Sequence, residues 1–573
     1  MSTQSVDRCE SGEGEQPCDP ADVLDRQLRA LAARATSGLS VIGLVQAWQD
    51  WAQHLATSPF KRLSLAQEAV TMGVEAALHP DRRETAQDPR FRGEPWRMWP
   101  FNYYATGFQA AENWWKAATT EVEGVTDQHK RVAAFVSRQM LDVFSPSNFL
   151  LTNPEVLART ASTGGLNLMR GGVNATLDAL NSFDGRGQDH FRVGQEVATT
   201  PGKVVARTRL AEIIQYSPAT DKVRPEPVVI VPAWIMKYYI LDLTPAESMV
   251  RALVEQGFTV FIVSWKNPTA AERDCGFDDY MREGALTAID TACRITGSPK
   301  VHGVGYCVGG TLMAMTAATM ARDGDDRLAS LTLLAAQADF TEAGELSVFI
   351  NESEVALLED LMWDRGYLKP EQMAGAFQLL RSNDLIWSRI IHGYLMGETR
   401  EPTSLDAWSQ DATRLPFRME SQNLRSLYMN DDVAEGRFKV GGRPIALRDI
   451  EADMFVLGTE TDHIAPWRSV YKLLLLTDAD ITFALTNHGH NTGVVSPLDS
   501  PRRRYRLHHQ TSKALYLDPD TLFEQSEVKE GSWWAPWFDW LAAHSGPPVA
   551  PPPLGEPGAA DLGDAPGTYV LER

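Results

Sequence analysis

Cys307 stands at the centre of a short stretch suited to nucleophilic chemistry, Gly305-Tyr306-Cys307-Val308-Gly309. The apolar run 300–306 predicts a strand that ends at this cysteine, and a helical pattern follows it. A nucleophile on so tight a strand-to-helix turn needs tiny residues two positions to either side, because the crossing backbone leaves no room for side chains. The N-terminus of the following helix would direct its dipole at the sulfur and favour a thiolate. The pattern therefore predicts a nucleophilic cysteine rather than a buried structural one.

Two later residues complete a predicted catalytic triad. Asp462 follows the apolar run 454–459, and His490 follows the apolar run 481–486. A strand-to-helix nucleophile turn of this form is typical of α/β-hydrolases, in which the nucleophile, the acid and the histidine follow one another along the chain. Both residues stand after strands, where sites of this kind form. We therefore predict Asp462 as the acid and His490 as the base.

Two other histidines near the acid and the base are alternatives. Gly489 and Gly493 favour His490 because they indicate an exposed, close-packed loop, and His463 is expected to help hold the acid loop. His488 and His490 form a His-x-His pair, but no third metal ligand accompanies them. We therefore expect no metal site.

An oxyanion formed at this site would need two backbone N–H donors. The residue after the nucleophile, Val308, is one predicted donor. The other is expected in the loop after an earlier strand, 228–234, around Trp234 and Ile235.

The region after residue 190 alternates short β-rich apolar runs with helix-length amphipathic stretches. Near-continuous apolar strands separated by helices predict a mostly parallel sheet that is covered on both faces. We therefore predict an α/β protein, with an α/β-hydrolase fold, a lid insertion and a helical N-terminal domain. The predicted strands are 228–234, 258–265, 300–306, 328–336, 454–459 and 481–486, and the predicted helices between them include 245–256, 278–295 and 467–476.

The predicted organisation has four parts. They are a mobile acidic tail (1–35), a helical N-terminal domain (36–190), a catalytic domain (191–545) with a lid insertion at 341–450, and a Pro/Gly/Ala-rich tail (546–573). The last of these is predicted to be a largely extended linker.

Composition excludes several classes of protein. The net charge of −21 argues against a nucleic-acid partner, which clustered Lys and Arg would bind. Five unevenly spaced cysteines form neither a disulfide framework nor a zinc motif. The first twenty residues are rich in acidic side chains and contain no signal-like apolar segment. No apolar run approaches the ~20 residues of a membrane span. These features predict a protein of the reducing cytoplasm.

Several motifs together resemble the polyhydroxyalkanoate synthases, more narrowly their class I type. The resemblance extends from about residue 88 to about residue 541, and it includes GYCVGG, KYYILDL, TVFIVSWKNP, SPSNFLLTNPE, TDHIAPW and GSWWAPW. It implies polymerisation of (R)-3-hydroxyacyl-CoA into a storage polyester, with Cys307 as nucleophile, His490 as base and Asp462 as the third member. It further implies a homodimer associated with cytoplasmic polymer granules. No cofactor is expected, since CoA is part of the substrate and is released as a product.

One departure from the family concerns the loop Ala233-Trp234-Ile235-Met236, where the family often has Cys and Asn. A backbone donor would survive this change, whereas the shape of the acyl pocket would differ.

A thiol fits this implied chemistry because transfer from acyl-CoA to cysteine exchanges one thioester for another. The acyl group then remains activated for transfer to an alcohol, which a serine ester would not allow. Asp462 either orients His490 or helps to deprotonate that alcohol, and the sequence leaves both roles open.

Five residues are candidate substrate contacts. Trp387 and Trp408 in the lid would line an acyl channel or simply form lid core. Arg502 and Arg504 would meet the CoA phosphates or form a solvated charged face. Lys237, beside the oxyanion loop, would contact substrate or order the loop.

Two other functions remain open. A cysteine-dependent acyl-CoA thioesterase or polyester hydrolase would use the same fold with water as the acceptor. A non-catalytic granule-coating protein would have no need of an intact triad.

Overall fold

The computed structural model describes residues 8–11, 14–17, 20–36, 39–80, 87–184, 191–372 and 386–573. The first seven residues of the predicted tail and residues 373–385 of the predicted lid lie outside these ranges.

A ten-stranded sheet forms the centre of the catalytic region. Its strands are β1 (Gly202–Arg207), β2 (Ala211–Tyr216), β3 (Val228–Val231), β4 (Val260–Trp265), β5 (Val301–Tyr306), β6 (Leu328–Leu334), β7 (Met454–Thr459), β8 (Ile481–Thr486), β9 (Arg504–Gln510) and β10 (Lys529–Glu530). The spatial order is β1-β2-β4-β3-β5-β6-β7-β8-β9-β10.

The six strands β3 to β8 are mutually parallel, and β1, β2, β9 and β10 run antiparallel to their neighbours. Every residue of β3, β4, β5 and β7 is buried, which is why the sequence shows them as continuous apolar runs. The strand order reverses between β3 and β5, and ligands of open parallel sheets bind at such a point, beyond the carboxyl ends of the strands. This is the predicted α/β-hydrolase fold.

The chain before the sheet is helical, as predicted. Its helices are α1 (Pro20–Ala35), α2 (Val41–Thr57), α3 (Pro59–Leu78), α4 (Phe101–Thr120), α5 (Asp127–Val143), α6 (Pro154–Thr163) and α7 (Leu166–Asp184). Two four-residue strands, Arg8–Ser11 and Gly14–Pro17, form a hairpin before them.

The helices of the catalytic region lie between and after the strands. They are α8 (Met249–Glu255), α9 (Phe277–Tyr280), α10 (Thr287–Thr296), α11 (Val308–Asp323), α12 (Glu352–Arg365), α13 (Ser404–Ser409), α14 (Phe417–Gln422), α15 (Trp467–Tyr471), α16 (Leu473–Leu476), α17 (His490–Val494), α18 (Pro519–Gln525) and α19 (Trp534–Ala543). A π-helical turn, Met281–Leu286, joins α9 to α10.

Residues 341–450 connect β6 to β7. Their described part holds α12 to α14, a 3-10 helix at Gly344–Phe349 and short two-residue strands. N-terminal helices contact this insertion. The amide of Gln128 on α5 donates to the carbonyl of Ser347 at 2.9 Å. The backbone N–H of Ser40, before α2, donates to the carboxylate of Glu354 on α12 at 2.8 Å.

Both predicted tails differ from the expectation. Residues 20–35 form α1, whose Arg29 pairs with Asp360 on α12, so this part of the predicted mobile tail is a packed helix. Residues 546–573 pack along β1 and β2 instead of forming an extended linker. Ala565, for example, donates its N–H to the carbonyl of Gly202 at 2.9 Å. Buried polar groups on the sheet, which a Pro/Gly-rich composition does not reveal, hold this segment.

Among the residues that the structure describes, no helix combines the length and the apolar character that a membrane crossing needs.

Candidate active site

Cys307 occupies a strained turn between β5 and α11. Its φ of 55° and ψ of −135° lie outside the regions that non-glycine residues ordinarily adopt. The glycines on either side allow this turn. A Cβ on Gly309 would lie 2.3 Å from the carbonyl oxygen of Pro232, and a Cβ on Gly305 would lie 2.4 Å from the Cα of Gly310. The steric reason for the Gly-x-Cys-x-Gly spacing is therefore present in the structure.

Backbone hydrogen bonds fix Cys307 at the start of α11. Its N–H donates to the carbonyl of Leu334 at 2.9 Å, and its own carbonyl accepts the N–H of Gly310 at 2.8 Å. The residue is only 8% exposed. The sulfur therefore stands at the positive end of the α11 dipole, where negative charge is stabilised.

Asp462 and His490 form a buried hydrogen-bonded pair. Nδ1 of His490 donates to Oδ2 of Asp462 at 2.7 Å. The same Oδ2 accepts the hydroxyl of Thr459 at 2.8 Å, while Oδ1 accepts the N–H groups of Ile464 at 2.8 Å and Ala465 at 2.9 Å. The two carboxylate oxygens thus accept four hydrogen bonds, which fill their usual capacity.

The pKa values of this pair are displaced in opposite directions. Burial lowers the pKa of His490, but the Asp462 carboxylate and the anionic form of the Cys307 sulfur outweigh burial and raise the pKa well above its ordinary 6.5. Burial raises the pKa of Asp462, but the His490 charge and the hydrogen bonds to the carboxylate hold it below its usual value. Nε2 of His490 faces Cys307 and is bonded to no other described residue. That nitrogen is therefore free to exchange a proton with the neighbouring thiol.

Other contacts position the histidine helix α17. The hydroxyl of Tyr306, the residue before the nucleophile, donates to Asn491, the residue after the histidine, at 2.6 Å. The indole N–H groups of Trp533 and Trp534 donate to the carbonyls of Gly493 and Val494 at 2.9 and 3.0 Å.

None of these side chains was predicted from the sequence to support the site. The motif GSWWAPW, used only for the resemblance, was the available signal for the two tryptophans.

His490 itself is buried, although His488 and Thr492 near it are exposed, and the predicted close packing is present. A Cβ on Gly493 would lie 2.6 Å from the side chain of Thr459. His488 and His463 are both exposed, and the carbonyl of His463 accepts the N–H of Glu345 at 3.3 Å.

Within the described part of the chain, no group of three or more His, Cys, Asp or Glu residues is arranged to hold a metal ion.

The predicted oxyanion donors lie on the two segments that meet at Gly309. Val308 begins α11, and Trp234 and Ile235 follow β3. Thr413 holds the loop after β3 by donating its hydroxyl to the Trp234 carbonyl at 2.6 Å and its N–H to the Ile235 carbonyl at 3.2 Å. The N–H groups of Val308, Trp234 and Ile235 make no hydrogen bond to another described residue.

Two predicted substrate contacts belong to the protein interior. Trp408 is buried in the same hydrophobic cluster as Cys307, and its indole N–H donates to the carbonyl of Lys237 at 2.8 Å. The ammonium of Lys237 donates to the carbonyls of Tyr569 at 3.1 Å and Glu572 at 2.8 Å. Burial lowers the pKa of Lys237 to about 8. This lysine therefore contacts the C-terminal segment instead of facing a substrate site.

The other predicted contacts lie nearer the surface. Trp387 is half-buried, and Arg502 and Arg504 are exposed. Arg504 lies 3.4 Å from Glu460. Between the two, Arg503 donates to the carbonyl of Thr492 on α17 at 2.7 Å, so one residue of this basic stretch supports the histidine helix.

Three family models match the chain. One described as the N-terminus of poly-beta-hydroxybutyrate polymerase matches residues 87–253, and a second, for the N-terminal part of the same polymerase, matches residues 19–61. A third, described as the alpha/beta hydrolase fold, matches residues 226–491.

Similar proteins extend over most of the chain. A poly(3-hydroxyalkanoate) polymerase of Methylorubrum extorquens is 39% identical over 503 residues, which cover 86% of this chain and 82% of that protein. A poly(3-hydroxyalkanoate) polymerase subunit of Cupriavidus necator is 34% identical over 575 residues, which cover 97% of this chain and 96% of that protein. One of Rhizobium etli is 36% identical over 512 residues, covering 88% and 79%. With identities of 34–39% over 86–97% of this chain, and with the fold and the Cys-Asp-His arrangement in place, the protein belongs to the poly(3-hydroxyalkanoate) polymerase family.

Proposed function

We propose that this protein polymerises (R)-3-hydroxyacyl-CoA into polyhydroxyalkanoate through an acyl group carried on Cys307, with release of CoA. The observation that carries the proposal is the buried cysteine on a strained strand-to-helix turn, next to a histidine whose other nitrogen is bonded to Asp462. Family membership supports the polyester product. The cysteine-bound intermediate rests on the geometry and on thioester chemistry.

The first half of the reaction transfers the acyl group to the enzyme. Nε2 of His490 takes the thiol proton, and the thiolate of Cys307 attacks the thioester carbonyl. The unengaged N–H groups of Val308 and of the loop carrying Trp234 and Ile235 stabilise the oxyanion that forms. The C–S bond to CoA then breaks, and the proton on His490 passes to the departing CoA thiolate.

The second half transfers the acyl group to an alcohol. His490 removes the proton from the 3-hydroxyl of a second monomer or of the growing chain, and the alkoxide attacks the enzyme thioester. The C–S bond to Cys307 breaks, and the sulfur recovers the proton. An ester is less reactive than a thioester, so the transfer of the acyl group from Cys307 to an alcohol lowers the free energy. Serine at position 307 would hold the chain as an ester no more reactive than the product.

Asp462 orients His490 in this scheme. Its four hydrogen bonds come from Thr459, Ile464, Ala465 and His490, and they occupy both carboxylate oxygens. No lone pair remains for an acceptor hydroxyl. The carboxylate therefore fixes the imidazole tautomer and stabilises the imidazolium.

The substrate assignments follow from exposure. Arg502 and Arg504 are accessible for the CoA phosphates, and Trp387 is the half-buried lid aromatic that remains for an acyl channel. The insertion between β6 and β7 would exclude the water that hydrolyses a thioester. CoA enters with the substrate, so the reaction needs no separate cofactor. We further propose a homodimer that works at the surface of cytoplasmic polymer granules.

Purified protein with (R)-3-hydroxybutyryl-CoA tests this function. Released CoA thiol and insoluble polyester are measured in the same reaction. The proposal expects one monomer in the polymer for each thiol released after the first turnover. Thiol release with only free 3-hydroxybutyrate would instead support the thioesterase alternative. No thiol release would support a non-catalytic role.

A further inference from the structure

The C-terminal segment, residues 568–573, is anchored on one buried carboxylate. Glu212 on β2 is fully buried, and its oxygens accept the N–H of Thr568 at 2.9 Å, the N–H of Tyr569 at 3.0 Å and the hydroxyl of Thr568 at 2.7 Å. A Cβ on Gly567 would lie 2.3 Å from this carboxylate, so glycine is required for the close approach. The position of the segment is therefore set by the sheet.

Lys237 joins this segment to the oxyanion loop, since it follows Trp234 and Ile235 by only three and two residues. Its ammonium donates to the carbonyls of Tyr569 and Glu572, and only 2% of the residue is exposed. A buried ammonium without acceptors is strongly disfavoured. The two carbonyls therefore determine where Lys237 lies.

A second connection joins the same segment to the other side of the loop. The guanidinium of Arg414 donates to the backbone oxygen of Arg573 at 3.3 Å, and its backbone N–H donates to the side chain of Asn267 at 2.9 Å. The N–H of Asn267 donates to the carboxylate of Glu572 at 3.2 Å. Arg414 directly follows Thr413, which holds the carbonyls of the oxyanion loop. The C-terminal segment thus reaches both supports of that loop.

From these contacts we infer that the C-terminal segment positions the oxyanion loop, with Lys237 as the positioning residue. The inference rests on the proposed function, in which this loop supplies an N–H to the thioester oxyanion. Such donors act only within hydrogen-bond distance of the developing charge, and the loss of one typically costs about 100-fold or more in rate. Loosening of the segment would therefore impair acylation without unfolding the site.

Two reactions of Cys307 separate positioning from general damage. Acylation by (R)-3-hydroxybutyryl-CoA forms an oxyanion, whereas alkylation by iodoacetamide displaces iodide at a saturated carbon and forms none. Both need the thiol and its base. For Lys237→Met we expect at least a 10-fold slower burst of CoA thiol. Alkylation of the Cys307 peptide, followed by mass spectrometry, should change by less than about twofold because the step needs no oxyanion donor.

A control variant and a shortened chain test whether the effect comes from the contact between Lys237 and the C-terminal segment. Lys203 contacts Asp561 and Asp564 in the same tail but away from the loop, so Lys203→Met should leave both rates unchanged. A chain shortened after Thr568 lacks both carbonyls and also the contacts of Glu572 with Asn267 and of Arg573 with Arg414, so it should slow acylation at least as much as Lys237→Met. Because Lys237 acts through this segment, adding Lys237→Met to the shortened chain should slow acylation no further.

The results distinguish two failures. A normal wild-type burst with an unchanged burst in Lys237→Met contradicts the inference alone. An equal loss of acylation and alkylation in Lys237→Met also contradicts it, because it shows general damage. Absence of a burst in the wild-type protein contradicts the proposed function, and this inference with it.

Discussion

The hydroxyl of Tyr306 donates a hydrogen bond to Oδ1 of Asn491 at 2.6 Å, so the residue before the nucleophile is tied to the residue after the base. The Tyr306 ring also lies 5.5 Å from the imidazole of His490, centre to centre. This contact links β5 to α17 directly. It therefore fixes the approach of the imidazole to the sulfur, which the Asp462–His490 bond alone does not.

Tyr306→Phe keeps the ring and removes only the hydroxyl. We expect the protein to lose about 1 kcal/mol of stability, and kcat to fall about 10-fold or more because His490 is less well aligned. KM should remain nearly constant. Steady-state thiol release and thermal unfolding provide the measurements.

Tyr471→Phe is the matched control. Tyr471 donates its hydroxyl to the carbonyl of Leu517 at 2.8 Å, outside the site. Its loss should lower stability but leave kcat unchanged. Equal kcat in the two variants would show that the Tyr306 contact is only structural.

Asp462→Asn tests whether the carboxylate orients the histidine. We expect both the acylation burst and steady-state elongation to slow by a similar factor, about 100-fold or more, because a misaligned imidazole impairs each proton transfer. Rapid-quench measurement of thiol release gives both rates. A normal burst followed by lost elongation would instead assign Asp462 to the acceptor hydroxyl.

Gly309→Ala tests the steric argument for the turn. The added methyl would lie 2.3 Å from the Pro232 carbonyl oxygen, so α11 must shift. Overpacking of this kind costs about 1–3 kcal/mol, and activity should fall because the Val308 N–H moves with the helix. Thermal unfolding and turnover test both effects.

The control for this change is a glycine with room for a methyl group. No atom lies within 4 Å of a Cβ added at Gly73 on α3. Gly73→Ala should be neutral, or stabilising by up to about 1 kcal/mol. If Gly309→Ala behaved in the same way, the close crossing at the nucleophile would be refuted.

Glu354 makes stability depend on pH. Burial raises its pKa from 4.5 to about 7, despite the N–H that Ser40 donates to it. Between these values the folded protein binds more protons than the unfolded chain, so the free energy of unfolding falls as pH rises. Glu354→Gln has no charge to bury. It should be more stable than wild type by about 2–3 kcal/mol at pH 8 and by about half as much at pH 5.5.

Urea unfolding at the two pH values measures this difference. The exposed Glu527→Gln serves as control and should show no pH-dependent gain. A gain for Glu354→Gln that is equal at both pH values would mean that charge burial is not its cause.

The strands that could be predicted from the sequence are those composed almost entirely of apolar residues. Strands β3 to β8 are apolar on both faces and stood out as continuous runs. It did not reveal β1, β2, β9 or β10. Strand β9 carries Arg504 and Arg506 and lies near the edge of the sheet, and this polar stretch was interpreted only as a basic patch. Polar alternation in half-exposed strands is a weak signal.

The triad positions could be predicted because chain order and strand ends fix them. The residues that hold the oxyanion loop and the C-terminal segment in place could not be predicted, since their positions depend on contacts between distant parts of the chain. Lys237 and Glu572 lie 335 residues apart in the chain, and composition alone makes residues 546–573 look like a linker. Glu212 and Gln215 on β2 are buried and therefore need partners, but their burial is not visible in the sequence.

The central claim is that the acyl chain is carried on the sulfur of Cys307. Rapid acid quench after mixing with (R)-3-hydroxybutyryl-CoA, followed by peptide mass spectrometry, tests it most directly. Wild type and Cys293→Ala should carry hydroxybutyryl units on the Cys307 peptide, and Cys307→Ala should carry none and make no polymer. An acyl adduct on another residue, or polymer formed by Cys307→Ala, would contradict the account.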